Sequence, residues 1–252
     1  MIFRPQIINP YGERLDALVE ERDRASATVI FVHGFGTDKH ESDRYFDDLS
    51  FGLQKNFRTV RFDLSACGKS GGRLEEKDFE TWAQDLKTVI NFSKNKYQGT
   101  IHILAQSLGC FVVAMANPQG LGKAVFTGMP NSNTSFVIDK LVHRFQSRFN
   151  AKIDFDGISV VPRPSGINQT IGPSFWRVLH LFNPVYAVTS LSKKTKLLII
   201  HPKEDEIVGH EYLSQYEKIP GVTVKWLNGD HNFKNVEDRQ VLIKTIEDFY
   251  FS

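Results

Sequence analysis

The sequence predicts an α/β fold, a mostly parallel, doubly wound sheet interrupted by a helical insertion. Three observations lead there. Short β-branched or apolar runs alternate with longer stretches of helical period over most of the chain, the pattern of a parallel sheet covered by helices. Between residues 131 and 189 the alternation stops, and no run of the central-strand type occurs. Finally, His33, Asp63, Ser107, Asp205 and His231 each follow directly on an apolar run, and the ligand crevice of such a sheet lies beyond the carboxyl ends of its strands.

The elements follow in order. Residues 6–19 hold two extended stretches on either side of Asn9-Pro10-Tyr11-Gly12 and read as a β-hairpin. Residues 28–32 form a β-branched run that ends at His33-Gly34-Phe35-Gly36, a buried strand entering a Gly-rich loop. From 43 to 55, Tyr45, Phe46, Leu49 and Leu53 recur at helical spacing. A strand at 58–62 ends at Asp63 and a second Gly-rich loop. Asp78 then caps a helix whose apolar face is Phe79, Trp82, Leu86, Val89 and Ile90. Gly99 closes the next turn, the strand 101–106 runs into Ser107, and 110–116 reads as a buried helix. Residues 124–127 form another strand.

The insertion opens with an amphipathic helix at 133–149, with Ile138, Leu141, Val142, Phe145 and Phe149 on one face. A Pro/Gly-rich piece follows from Asp156 through Val161-Pro162-Arg163-Pro164-Ser165-Gly166 to Pro173, then short helices at 174–182 and 185–191. The core resumes with a strand at 196–200 ending at His201-Pro202, a helix at 211–218, the last strand at 222–227 and a closing helix at 236–250. The division expected is a core of residues 1–130 and 190–252, with 131–189 laid over the strand ends as a cap.

Composition narrows the function classes. With 252 residues, 41% hydrophobic and 24% charged, the chain can bury a sizeable core. Its net charge of +2, with Lys and Arg scattered, offers no basic stripe for nucleic acid. The N-terminus lacks the apolar stretch of a signal peptide, and no apolar run approaches the ~18 residues of a membrane span. Two cysteines, Cys67 and Cys110, are too few for a disulfide scaffold, so both are expected reduced and the protein cytoplasmic. Cys110, near Ser107, reads as a small buried helix residue.

Strand, tight turn with a central serine, helix is the context of a nucleophile elbow. Small residues are needed two places before and after the serine, and here they are Ala105 and Gly109. A serine hydroxyl needs a base, and the base needs a group that fixes its tautomer. Ser107, Asp205 and His231 run in the order nucleophile, acid, base, each after a predicted strand. Among eight histidines, only His231 occupies the loop after the last strand. Glu204 and Glu206 flank Asp205, so the acid could be displaced by one place. His33 is expected to brace its loop. An oxyanion hole would use the Leu108 N–H and, from the loop after His33-Gly34, the Phe35 N–H. No set of His, Cys and carboxylates has metal-ligand spacing, so neither metal nor cofactor is expected.

These motifs resemble the α/β-hydrolase superfamily: a His-Gly-Phe-Gly loop, an Arg-Phe-Asp-Leu-Ser-Ala-Cys-Gly-Lys-Ser segment, a serine elbow, an Asp loop and a Gly-Asp-His loop, in family order. The segment 31–72 is similar to the serine carboxylesterase branch of cinnamoyl/feruloyl esterases and monoglyceride-lipase-like hydrolases. The resemblance covers 1 to about 130 and 190–252 and is weak across the insertion. Two departures stand out. The elbow is Ala105-Gln106-Ser107-Leu108-Gly109-Cys110 rather than Gly-His-Ser-x-Gly-Gly, and Ala66 replaces the first Gly of the Gly-x-Gly-x-Ser loop. The resemblance implies hydrolysis of small-molecule carboxylic esters of small to medium acyl or aromatic acids through an acyl-serine intermediate. A thioesterase, peptidase or acyltransferase on the same residues, or a non-catalytic binding protein on this fold, remain alternatives. The insertion carries six Lys and Arg against three Asp, a net +3. That charge fits either an acidic substrate group or a solvated face.

Overall fold

The structure, a computed structural model, describes residues 1–21, 25–163, 166 and 168–252. β1 (Ile2–Phe3) and β2 (Gln6–Ile8) lead into β3 (Arg14–Glu20). β2 and β3 form the hairpin read from the sequence, Ile7 opposite Leu15. There follow β4 (Ala27–Val32), α1 (Tyr45–Leu53), β5 (Arg58–Phe62), α2 (Phe79–Lys96), β6 (Thr100–Gln106), α3 (Leu108–Ala116) and β7 (Lys123–Thr127). Next come α4 (Thr134–Phe149), β8 (Ser159–Val161), β9 (Gln169–Ile171), α5 (Pro173–Leu181) and α6 (Pro184–Ser192). β10 (Lys196–Pro202), α7 (Ser214–Glu217), β11 (Val222–Leu227) and α8 (Val236–Phe251) complete the chain.

The main sheet runs β1-β3-β5-β4-β6-β7-β10-β11, with β2 attached to β3. β5 through β11 along this path are parallel, and β3 meets β5 antiparallel. From β4 the chain moves outward to β5 and then returns to the other side of β4 as β6. That reversal opens the crevice of a doubly wound sheet, and it puts the end of β4 beside the end of β6, Val32 opposite Ala105.

Successive residues of a strand point to opposite faces, and here both faces are covered. Ile30, Ile103, Phe126 and Ile199 join a core with α2, α3 and the 134–192 segment. Phe31, Leu104, Val125 and Ile200 join a second core with α1 and α8. Each such side chain contributes roughly 1.5–3 kcal/mol on full burial, which is why the strands read as unbroken apolar runs. α2 starts at Asp78 as expected: its carboxylate accepts from the Thr81 N–H, and the Thr81 hydroxyl accepts from the Asp78 N–H, a reciprocal cap.

Three elements differ from the sequence reading. The first helix begins at Tyr45 rather than 43, because Asp43 and Arg44 take φ of 56° and 57°, outside the helical well. The helix expected at 211–218 shrinks to one turn, α7, because Tyr212 is also left-handed, φ 58°. The Pro/Gly-rich piece hides an antiparallel hairpin, β8 with β9, in strands too short to show alternation. Pro164, Ser165 and Ile167 of that piece lie outside the described residues. Among the described residues, no helix is long and apolar enough to cross a membrane.

Candidate active site

Ser107 sits between β6 and α3 with φ 52° and ψ −132°. A non-glycine residue there carries roughly 1–3 kcal/mol of strain. The turn is held by its neighbours. The Ser107 N–H donates to the Thr127 carbonyl at 3.0 Å, and the Cys110 N–H donates to the Ser107 carbonyl at 2.9 Å. A Cβ on Gly109 would lie 2.5 Å from the carbonyl oxygens of Val32 and His33, so the turn can press on β4 only with glycine at that position.

Asp205 follows β10 and His231 follows β11. The carboxylate accepts from His231 Nδ1 at 2.7 Å through one oxygen and from the Ile207 and Val208 N–H groups at 3.0 and 3.1 Å through the other. Burial pushes this carboxyl up, but the His231 charge and these hydrogen bonds outweigh it and hold Asp205 below the ordinary carboxylate range. With Nδ1 donating to Asp205, Nε2 is left to accept a proton. Glu204 and Glu206 are exposed, so Asp205 is the acid of the three that meets the histidine. Ser107, His231, Phe35 and Leu108 all line one cavity of about 420 Å³. Among the described residues, no hydrogen bond joins the Ser107 hydroxyl to His231. The N–H groups of Phe35 and Leu108 likewise have no acceptor among them.

A family model, that of the serine aminopeptidase S33 hydrolases, matches residues 23–152, just over half of the chain. The chain belongs to this family. It is a hydrolase of the α/β-hydrolase fold. The Est1E structure with bound ferulic acid, from Butyrivibrio proteoclasticus, superposes with a TM-score of 0.78 at 17% identity, covering 98% of each chain. The Pyrococcus furiosus esterase Pf2001 gives 0.73 at 19% identity, over 99% of this chain and 91% of that one. A bovine (Bos taurus) palmitoyl-protein thioesterase, ABHD10, mitochondrial, is 25% identical over 241 residues, 88% of this chain and 72% of its own length.

Other residues of the hydrolase fall in two groups. His33 braces its loop, with Nε2 accepting from the Leu64 N–H at 3.0 Å and Nδ1 bonding the Gly34 carbonyl at 2.7 Å. Burial lowers its pKa and keeps it neutral. Asp63, although at a strand end, does not line the cavity: it receives the Lys39 ammonium at 2.9 Å and the Lys39 and Lys69 N–H groups at 2.8 Å. Both cysteines are free and buried, and burial pushes the Cys110 thiol well above its usual range, so it is inert.

Two residues have contacts at the site that the sequence did not announce. Gln106, which occupies the position of the family histidine, donates from Nε2 to the His231 carbonyl at 2.8 Å and accepts from the Thr127 hydroxyl. It thereby ties the serine turn to the histidine loop. Glu41 lines the cavity, accepts from the Gly34 N–H, and has its carboxyl pushed up to about 7 by burial. Only its φ of 56° marks it, and no residue pattern signals that.

Proposed function

We propose that this hydrolase cleaves carboxylic esters through an acyl-serine intermediate, with Ser107 as nucleophile, His231 as base and Asp205 as its orienting acid. The observation that carries the reading is the Asp205–His231 pair at 2.7 Å, whose histidine lines the same cavity as a serine in a strained strand-to-helix turn. His231 Nε2 takes the Ser107 proton as the hydroxyl oxygen attacks the acyl carbon. Negative charge then gathers on the carbonyl oxygen, where the Phe35 and Leu108 N–H groups receive it. His231 protonates the leaving alcohol, then deprotonates the water that releases the acid and restores Ser107. The 131–189 segment acts as the cap: α4 supplies Val137, Leu141 and Phe145 to the cavity wall, an apolar lining suited to a small or medium acyl chain or an aromatic ring.

A second reading, thioester hydrolysis by the same residues, is favoured by the name of the bovine relative. Turnover of p-nitrophenyl butyrate against butyryl thioesters separates the two. In either case Ser107→Ala should abolish activity, and a variant with wild-type turnover would overturn the reading.

A further inference from the structure

The roof of the cavity is cationic, and among the described residues its arginines have no ion-pair partner. On α4, Arg144 and Arg148 stand four residues apart, on the turns that also carry Leu141 and Phe145, and all four line the cavity. Arg163, beyond β8, joins them there. Its guanidinium lies over the Phe149 ring at 4.9 Å and the Phe145 ring at 5.9 Å, and it donates to the Gln169 side chain. Arg163 Nη2 also lies 2.7 Å from where a Cβ on Gly36 would stand. The absence of a side chain at Gly36 therefore lets the guanidinium rest against the loop that carries Phe35.

Among the described residues, no carboxylate comes within ion-pair distance of Arg144, Arg148 or Arg163. Burial and the facing Arg148 lower the pKa of Arg144, and burial and Arg144 lower that of Arg163. The carboxylate that acts on Arg144 is Asp205, already held by His231. Glu41, the one carboxyl lining the cavity, is spent on the Gly34 N–H and needs a pH near 7 to ionise. Half-buried arginines facing one another cost free energy unless an anion joins them. A guanidinium fork suits the paired oxygens of a carboxylate or phosphate.

Resting on the serine-hydrolase reading above, we infer that the substrates are esters bearing an anionic group, a carboxylate or phosphate, which Arg144 and Arg163 hold beneath the cap while Ser107 attacks the acyl carbon. The apolar strip of Leu141 and Phe145 would cover the carbon skeleton between the two ends.

Matched esters test this. p-Nitrophenyl hydrogen adipate is compared with p-nitrophenyl hexanoate, which puts the charge on the acyl side. 4-(Hexanoyloxy)benzoate is compared with its methyl ester, which puts it on the alcohol side. In at least one pair, kcat/KM for the anionic member should exceed the neutral by about tenfold or more, and the preference should shrink as sodium chloride is raised. In the Arg144→Gln/Arg163→Gln double variant the anionic-to-neutral ratio should fall roughly ten- to a hundredfold, the range of charge-assisted hydrogen bonds. The ratio is unaffected by partial loss of folded protein. Arg144→Lys, which keeps the charge and loses the fork, should fall between. Competition by adipate against inorganic phosphate decides which anion is preferred. A wild-type ratio of one or less in both pairs, or a ratio unchanged in the double variant, would overturn the inference and leave the hydrolase reading standing. Absence of turnover on every ester would overturn both.

Discussion

Asp205 stands behind His231 at the cavity that Arg144 lines, and the fold treats the two charges in opposite ways. Asp205 receives His231 and two backbone N–H groups. Beside the serine turn, Gln106 is bonded on both sides to Thr127 and the His231 loop, and at the end of β5 Lys39 is fixed between Asp16 and Asp63 at 2.7 and 2.9 Å. Arg144 meets another arginine and apolar side chains, and among the described residues no carboxylate comes within ion-pair distance of it. Groups on and beneath the floor of the cavity are organised by the protein itself, as a reacting site must be if its geometry is to be ready before substrate arrives. Groups on the roof are left for something else to organise. In the function proposed above, chemistry belongs to the sheet and selection to the segment laid over it.

Breaking the floor should have the largest effects. Ser107→Ala should lower ester turnover on the order of 10⁴-fold or more, and Asp205→Asn by about 10³–10⁴-fold, because an amide there no longer selects the tautomer with Nε2 free. Steady-state rates, corrected for folded protein, check both. Lys39→Met takes the cation from the buried Asp63, while Asp16 keeps Arg4 and Arg14. A stability loss of about 3–5 kcal/mol is expected in urea unfolding, with turnover per folded molecule far less affected than in Ser107→Ala.

Smaller perturbations sharpen the contrast. Gln106→Ala removes the tie between the serine turn and the histidine loop. It should cost roughly 1–3 kcal/mol of stability, and kcat should fall more than KM rises, since His231 is what moves. Glu41→Gln keeps an acceptor for the Gly34 N–H and removes a charge. The wild-type carboxyl has its folded pKa raised to about 7 from 4.5. Ionising it therefore costs nothing below the lower value, and the cost is complete above the higher one. The variant should match the wild type at pH 4 and exceed it by roughly 1–2 kcal/mol at pH 8, discounted for the open cavity beside it. A constant difference across that range in urea titrations would contradict the assignment.

What could be read from the sequence follows the same divide. Strands buried on both faces announce themselves as apolar runs, and the parallel order places their ends together, so Ser107, His231 and the acidic loop 204–206 could be singled out as candidates from position alone. The choice of Asp205 over Glu204 and Glu206 could not, because it depends on which of three adjacent carboxylates turns inward. Gln106 was visible as a departure from the family elbow, but its partner loop lies 125 residues away. Glu41 owes its place to a left-handed turn that no residue pattern announces. In the segment over the site, β8 and β9 are three residues each, too short for a period. The charge of that segment was legible. Its convergence on one cavity depends on how α4 and the Arg163 loop are docked, and that is a property of packing.

In the proposed reaction the attacking oxygen is the Ser107 hydroxyl. Incubation with a fluorophosphonate, followed by intact mass and peptide mapping, tests it most directly. One adduct per chain is expected, on Ser107, lost in Ser107→Ala and slowed in His231→Gln. A folded wild-type protein that stays unlabelled, or carries the adduct on another residue, would contradict it.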